Sequence, residues 1–160
     1  MQIIESIPDQ SLKQLLSRYS LKLKCVSKNK EIPGSHWGDS EAGLIGNTLY
    51  VRADTPVHSA LHEACHFVCM DADRRSDLHT DAGGDYDEEN AVCYLQILLA
   101  EKVAGNNAKQ LMQEMDAWGY TFRLGSASEW FYHDAGDARL WLLDSNLITP
   151  DNKPTWKLKD

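Results

Sequence analysis

The sequence predicts an α+β fold in which a small sheet near the amino terminus is followed by helices. An alternating strand pattern occurs early, helical spacing of apolar residues dominates after residue 56, and glycine and proline separate these segments. The chain of 160 residues has the length of one domain, and we assign residues 1–160 to a single domain with an irregular tail over 146–160. Its 42% hydrophobic and 25% charged residues exclude a disordered or fibrous chain.

The first elements are a short helix and two or three strands. Apolar residues at helical spacing predict an amphipathic helix over 10–19: Leu12, Leu15, Leu16 and Tyr19. Leucine, lysine and cysteine alternate with a period of two, which predicts a strand over 21–27. Glycines and a proline predict a loop over 28–43, and residues 44–52 are typical of a hairpin or a kinked strand.

Four helices are predicted in the rest of the chain. The first follows a capping Asp54 and Pro56, and we place it from about 56 to 70. An acidic stretch interrupted by two glycines separates it from a more apolar helix over about 85–104. Two more helices are expected over 107–118 and about 126–144.

Charge and cysteine content limit the classes of partner. The net charge of −8 argues against direct binding to nucleic acid or anionic lipid, because both require a basic surface. No secretory pattern opens the chain and no apolar run reaches the length of a membrane span. Four cysteines are too few for a disulfide scaffold, so we expect a protein of the reducing cytoplasm with no membrane partner.

The segment His62-Glu63-Ala64-Cys65-His66 carries the chemistry, because it has the pattern H-E-x-x-H inside a predicted helix. Residues four apart lie on one face of a helix, so both imidazoles can bind one Zn²⁺ ion. Glu63 adjoins the first ligand and can act as the general base for the attacking water. This pattern predicts a hydrolase with one zinc ion per chain.

A catalytic zinc site needs a third protein ligand, and the next helix offers two carboxylates. Glu88 falls on an apolar stripe of that helix, where an unpaired carboxylate is costly. We therefore favour Glu88 over Glu89 as the third ligand. Asp81 and Asp85, in the acidic stretch between the helices, remain alternatives.

The two helices together resemble the gluzincin metallopeptidases, particularly the minimal ImmA/IrrE-like group. The H-E-x-x-H motif is followed by E-x-x-A-x-x-aromatic-x-x-x-L-L, here Glu88, Ala91, Tyr94, Leu98 and Leu99. The resemblance implies a zincin fold with His62, His66 and Glu88 as zinc ligands and Glu63 as general base. It also implies that residues 47–52 form an edge strand, on which an extended peptide or protein substrate pairs. Cys65, Val92 and Ala100–Glu101 depart from the usual residues of that group.

Further candidates surround this motif. Gluzincins often supply a histidine or tyrosine from a later helix to stabilise the oxyanion, which points to His133, with Tyr132 and Arg139 as alternatives. His58 lies one turn before His62 and could hydrogen-bond a ligand, whereas the role of His36 stays open. Cys69 lies on the same face and could flank the metal, although a buried cysteine is more often a packing residue.

The sequence therefore predicts a zinc-dependent metallopeptidase. The alternative is a non-catalytic zinc-binding interaction domain on the same scaffold, against which the presence of Glu63 argues, because binding alone needs no general base. Residues 71–89 carry a net charge of −6, which is typical of a solvated loop and would also suit a lip that attracts basic peptides.

Overall fold

A three-stranded sheet and seven helices form the part of the chain that the computed structural model describes, residues 1–8, 10–35, 39–79 and 82–160. The strands are β1 (Lys22–Val26), β2 (Gly43–Ile45) and β3 (Thr48–Arg52). The helices are α1 (Ser11–Ser17), α2 (Val57–Cys69), α3 (Ala72–Ser76), α4 (Tyr86–Ala100), α5 (Ala108–Trp118), α6 (Ala127–His133) and α7 (Gly136–Asp144). The predicted α+β class, with the sheet before the helices, is confirmed. Among the described residues, no helix is long and apolar enough to cross a bilayer.

The sheet has the strand order β1-β3-β2, so β3 lies in the middle. β1 pairs with β3 in parallel, and β2 pairs with β3 in an antiparallel hairpin that turns at Gly46. Gly46 has a φ of 58°, which glycine adopts without strain. The expectation that residues 47–52 form an edge strand is therefore wrong, because β1 and β2 occupy the two edges.

The two helices that carry the motif residues are the most buried elements. α2 packs against α4 and against the inner face of the sheet, where Leu44, Leu49 and Val51 are completely buried. α4 also contacts α5 and α7, and apolar side chains surround most of its length. Helices enclosed in this way are held by packing on several sides, which fixes the relative positions of the side chains that they carry.

Two elements differ from the prediction. The helix expected over 126–144 is divided into α6 and α7, because Asp134 leaves helical geometry with a φ of −140° and Arg123 binds its carboxylate. Aspartate and the following Gly136 are also poor helix formers. α3 lies in the acidic stretch that was expected to be irregular, and Asp71 caps it by accepting the N–H of Arg74 at 2.9 Å.

Residues 146–160 follow the last helix without a further helix or strand, and they are tied to the core. The backbone N–H of Lys159 donates to the carbonyl of Val68 at 3.0 Å. The guanidinium of Arg75 donates to the carbonyls of Phe67, Met70 and Lys159. These contacts satisfy carbonyl groups at the carboxyl end of α2 that the helix itself leaves unpaired.

Candidate metal centre

Three side chains converge where α2 faces the start of α4: His62, His66 and Glu89. The Nε2 atoms of the two histidines lie 3.2 Å apart, and each lies 3.0 Å from a different oxygen of Glu89. In a tetrahedral zinc site with bonds of about 2.0–2.1 Å, neighbouring ligand atoms are about 3.3 Å apart. The two imidazoles and the carboxylate therefore have the chemistry of a zinc ligand set, and they lie close enough together to hold a metal ion.

The third group is Glu89 rather than Glu88, which corrects the expectation from the sequence. The two carboxylate oxygens of Glu88 lie 2.7 and 2.8 Å from the guanidinium of Arg74, and the Glu88 side chain is only 8% exposed. Glu88 is a buried carboxylate that needs a cation, and Arg74 supplies it. Successive residues of a helix point about 100° apart, so the next carboxylate faces α2 instead.

Gln96 holds the ring of His62 from the side opposite to Glu89. Its Nε2 donates to the carbonyl of His58 at 2.9 Å, so its Oε1 must face the Nδ1 of His62, which lies 3.0 Å away. Because an amide oxygen only accepts, the proton of the neutral His62 ring belongs on Nδ1. The lone pair of Nε2 is then directed toward Glu89 and His66, as a metal ligand requires.

A second histidine and a tyrosine complete this buried network. The hydroxyl of Tyr120 lies 3.3 Å from Nδ1 of His58 and 3.4 Å from Nε2 of Gln96, and its ring packs edge-on against His62. Burial, aided by the nearby His62, lowers the pKa of His58 to about 4, so this ring is neutral at pH 7. Burial also raises the pKa of Tyr120, which stays protonated.

His66 lacks such a partner. Its Nδ1 is buried and makes no hydrogen bond in the part of the chain that the structure describes. The ring of His62 is thus oriented by its hydrogen bond to Gln96, whereas the ring of His66 is oriented by packing and by the groups at its Nε2.

The close contacts within the triad shift the pKa values of its members. Burial raises the pKa of Glu89, but its hydrogen bonds with His62 and His66 outweigh burial and hold that pKa well below its usual range. Burial opposes a charge on His62, but the carboxylate of Glu89, 3.0 Å from its Nε2, raises the pKa of this histidine. Protons therefore compete with a metal ion for the lone pairs of the triad.

Three cysteines lie near the site, and two of them, Cys65 and Cys69, are thiols rather than thiolates. Cys65, Cys69 and Cys93 are buried, and burial raises the pKa of the Cys65 and Cys69 thiols. Metal ligation requires the thiolate, and none of the three belongs to the metal-binding triad. Their burial is that of packing residues, the commoner role of a buried cysteine.

The other predicted site residues fall in different places. Glu63 lies on α2 beside His62 and is half-buried. Asp85 caps α4 by accepting the N–H of Glu88 at 2.9 Å, so its carboxylate already has a structural role. His36 and Asp81 lie outside the described residues.

The expected oxyanion donors lie on the surface. His133 is 66% exposed on α6, with its ring 3.9 Å from Glu129. Tyr132 is also exposed, and Arg139 is bound to Asn152. Within the described ranges, no hydrogen bond or ring contact joins these three residues to the triad.

Sequence reasoning missed Gln96 and Tyr120. Gln96 could have been found, because it is a polar residue inside an otherwise apolar helix, two turns after Glu89 and on the same face. Tyr120 follows the left-handed Gly119 that ends α5, and no spacing pattern links it to the H-E-x-x-H segment.

Comparisons with known proteins add no relative. No protein-family model matches the chain, and neither the curated proteins nor the solved structures contain a significant match. The helix with its two histidines and the triad with Glu89 are compatible with a zincin. That likeness depends on these residues alone.

Proposed function

We propose that this protein is a zinc-dependent metallopeptidase. The observation that carries the proposal is the convergence of His62, His66 and Glu89 at 3.0–3.2 Å, with Glu63 adjoining the first histidine on α2. Two imidazoles and one carboxylate form the ligand set of catalytic zinc sites, which leave one position open. A structural zinc site would need a fourth protein ligand, and the triad of described residues has none.

Each residue has a defined task in this proposal. His62, His66 and Glu89 hold the ion, and Gln96 keeps the His62 lone pair directed at it. Zinc at this position would polarise the substrate carbonyl and lower the pKa of water. Glu63 accepts the proton of the attacking water and then donates it to the leaving amine.

The substrate in this proposal is an extended segment of a peptide or protein. β2 is the edge strand that packs on α2, and the N–H of Ala42 just before it donates to the hydroxyl of Ser59 on α2 at 3.0 Å. An extended chain paired with this edge would lie beside the helix that carries Glu63. Strand addition supplies affinity through the backbone and thus tolerates varied side chains.

A second candidate is a metal-binding domain without catalysis. The observation that favours it is the occupancy of the β2 edge by the chain itself. Ile45 forms an antiparallel bridge with His79, and the N–H of Gly46 donates to the carbonyl of Leu78 at 2.9 Å. A substrate strand could use this part of the edge only after residues 78–79 had moved.

Zinc content and cleavage, measured on the same samples, test the proposal. We expect about one zinc ion per chain in the wild type and in Glu63→Gln, determined by elemental analysis after purification without a metal-affinity tag. Only the wild type should cleave a peptide library followed by mass spectrometry. Glu129→Gln, a matched change at an exposed glutamate, should cleave like the wild type.

Two other results would contradict the proposal in different ways. Zinc in the wild type without cleavage of any peptide would favour the non-catalytic candidate. No zinc after dialysis against the metal would remove both candidates.

A further inference from the structure

Positive charge is concentrated in one short segment of this acidic protein. Residues 10–30 contain six of the chain's 16 lysines and arginines and no acidic residue, while the whole chain has a net charge of −8. All six side chains are exposed: Lys13, Arg18, Lys22, Lys24, Lys28 and Lys30. Arg18 stacks on Trp156, and none of the five lysines forms an ion pair in the described part of the chain. The segment corresponds to α1, β1 and the turn that follows.

β1 is also an edge strand with one open side. Among the described residues it pairs with β3 alone, and the N–H of Lys22 donates toward β3, to the carbonyl of Asn47 at 2.9 Å. Backbone polar groups of a strand alternate in direction, so those of Leu23 and Cys25 point away from the sheet. Among the described residues, the backbone partners of β1 are β3 and Asn47 just before it, which leaves the outer side of β1 as a template for another strand.

An apolar groove lies next to this edge. It has a volume of about 410 Å³ and runs between the amino-terminal segment, α1 and β1. Its apolar lining includes Ile4, Ile7, Leu12 and Leu23, with the exposed thiol of Cys25 at one side. Side chains alternate across a strand, so Leu23 and Cys25 face the groove while Lys22 and Lys24 face the opposite side.

We propose that β1 is a docking strand for an acidic polypeptide segment in extended conformation. The segment would add to the sheet beside Leu23 and Cys25 as a fourth strand. Its apolar side chains would enter the groove, and its carboxylates would meet Lys22 and Lys24 on the other face. The groove is lined by one residue of each charge, Lys13 and Glu5, so the preference for an acidic segment depends on Lys22 and Lys24.

The pattern favours a polypeptide over a nucleic acid. Outward N–H and C=O groups in alternation can both be satisfied only by another backbone, because phosphates offer acceptors alone. Lysines on an edge strand also oppose pairing between two copies of the same edge, since like charges would then meet. An acidic partner turns that repulsion into attraction.

Binding of a defined peptide tests the proposal. The probe is a fluorescein-labelled peptide of alternating glutamate and valine, followed by anisotropy with the intact protein at low salt, and its lysine–valine counterpart is the comparison. We expect only the acidic peptide to bind. Amide NMR signals of Leu23 and Cys25 should shift more than those of α2.

Two variants separate strand pairing from charge. Cys25→Pro removes an outward N–H without touching the bonds to β3, and it should weaken binding about tenfold or more. Lys22→Glu with Lys24→Glu should have a similar effect. The matched control, Lys28→Glu with Lys30→Glu, makes the same charge change beyond the strand and should weaken binding by less than about threefold.

A second measurement covers the case in which Cys25→Pro fails to fold. Cys25 is the exposed cysteine and the other three are buried, so a bulky maleimide should modify it selectively in the wild type and abolish binding. Equal losses in the two lysine pairs, or unchanged binding after modification, would overturn the proposal. Equal binding of single-stranded DNA would indicate a polyanion surface instead. Self-association that competes with the peptide would show that a second copy is the occupant.

Discussion

Two polar clusters begin at adjacent residues of α4, and they differ in whether protein groups alone complete them. Glu88 is bound by both nitrogens of the Arg74 fork, and Arg74 also donates to the carbonyl of Ala82. Glu89 meets two imidazole nitrogens, and His66 keeps an unpartnered Nδ1 in the described structure. Burial of a carboxylate therefore does not by itself indicate a metal. The better indication of a metal is a set of imidazole nitrogens and carboxylate oxygens that converge with no arginine or lysine between them.

Exchanging the two carboxylates for amides gives the largest contrast. Glu89→Gln should weaken zinc binding by more than about a hundredfold, because loss of a ligand exceeds the effect of an outer hydrogen-bond partner. Glu88→Gln should bind zinc within about threefold of the wild type. Competition with a fluorescent zinc chelator measures both. If Glu88→Gln weakened zinc binding more than Glu89→Gln, Glu88 would be the third ligand.

The Arg74 cluster should show its effect in stability rather than in metal binding. Arg74→Ala leaves Glu88 buried without a partner and should lower the free energy of unfolding by about 2 kcal/mol, less than for a fully buried pair because Arg74 is partly exposed. Urea unfolding of the metal-free protein measures this change. Arg74→Met combined with Glu88→Leu should recover much of the loss. If the double variant were as unstable as Arg74→Ala, the unpaired Glu88 carboxylate would not be the cause of the lost stability.

Gln96 offers a smaller effect on the triad itself. Gln96→Leu removes the acceptor that holds Nδ1–H of His62, and zinc binding should weaken about tenfold to a hundredfold. Gln96→Glu keeps an acceptor and should bind more tightly than Gln96→Leu. Nitrogen NMR of His62 in the zinc-loaded protein, in which the ring is neutral, shows directly whether Nδ1 carries the proton. If Gln96→Leu binds zinc like the wild type, packing alone orients the ring.

The smallest effect concerns the neutral His58 behind the triad. A histidine in the unfolded chain has a pKa of about 6.5, whereas the pKa of His58 is about 4. Between these values the unfolded chain binds more protons, so the contribution of His58 is complete above pH 6.5 and decreases as the pH falls. We expect a loss of about 1 kcal/mol between pH 7 and pH 5.5.

Urea unfolding of the wild type and of His58→Gln is measured at both pH values. The loss due to His58 is the change in the free energy of unfolding of the wild type minus that of the variant. His133→Gln, a change at an exposed histidine, is the control and should keep the pH dependence of the wild type. A pH dependence shared by all three proteins would mean that His58 titrates normally.

The sequence predicted the fold class and the helix with both histidines because apolar periodicity and the H-E-x-x-H spacing are local signals. It could not decide between Glu88 and Glu89, because that choice depends on Arg74, which reaches Glu88 from another helix. The central position of β3 was also hidden, since the parallel partner β1 lies more than twenty residues earlier in the chain. Both errors concern partners that only the folded chain brings together.

The contacts between residues 155–160 and the end of α2 affect the order in which parts of the protein fold during synthesis. The carbonyl of Val68 finds its partner in the N–H of Lys159, and Arg75 joins the end of α2 to the same residue. A chain emerging from the ribosome exposes α2 long before Lys159 has been synthesised. The sheet and the first turns of α2 can therefore form early, whereas the turn after His66 is closed only after residue 159 has been added.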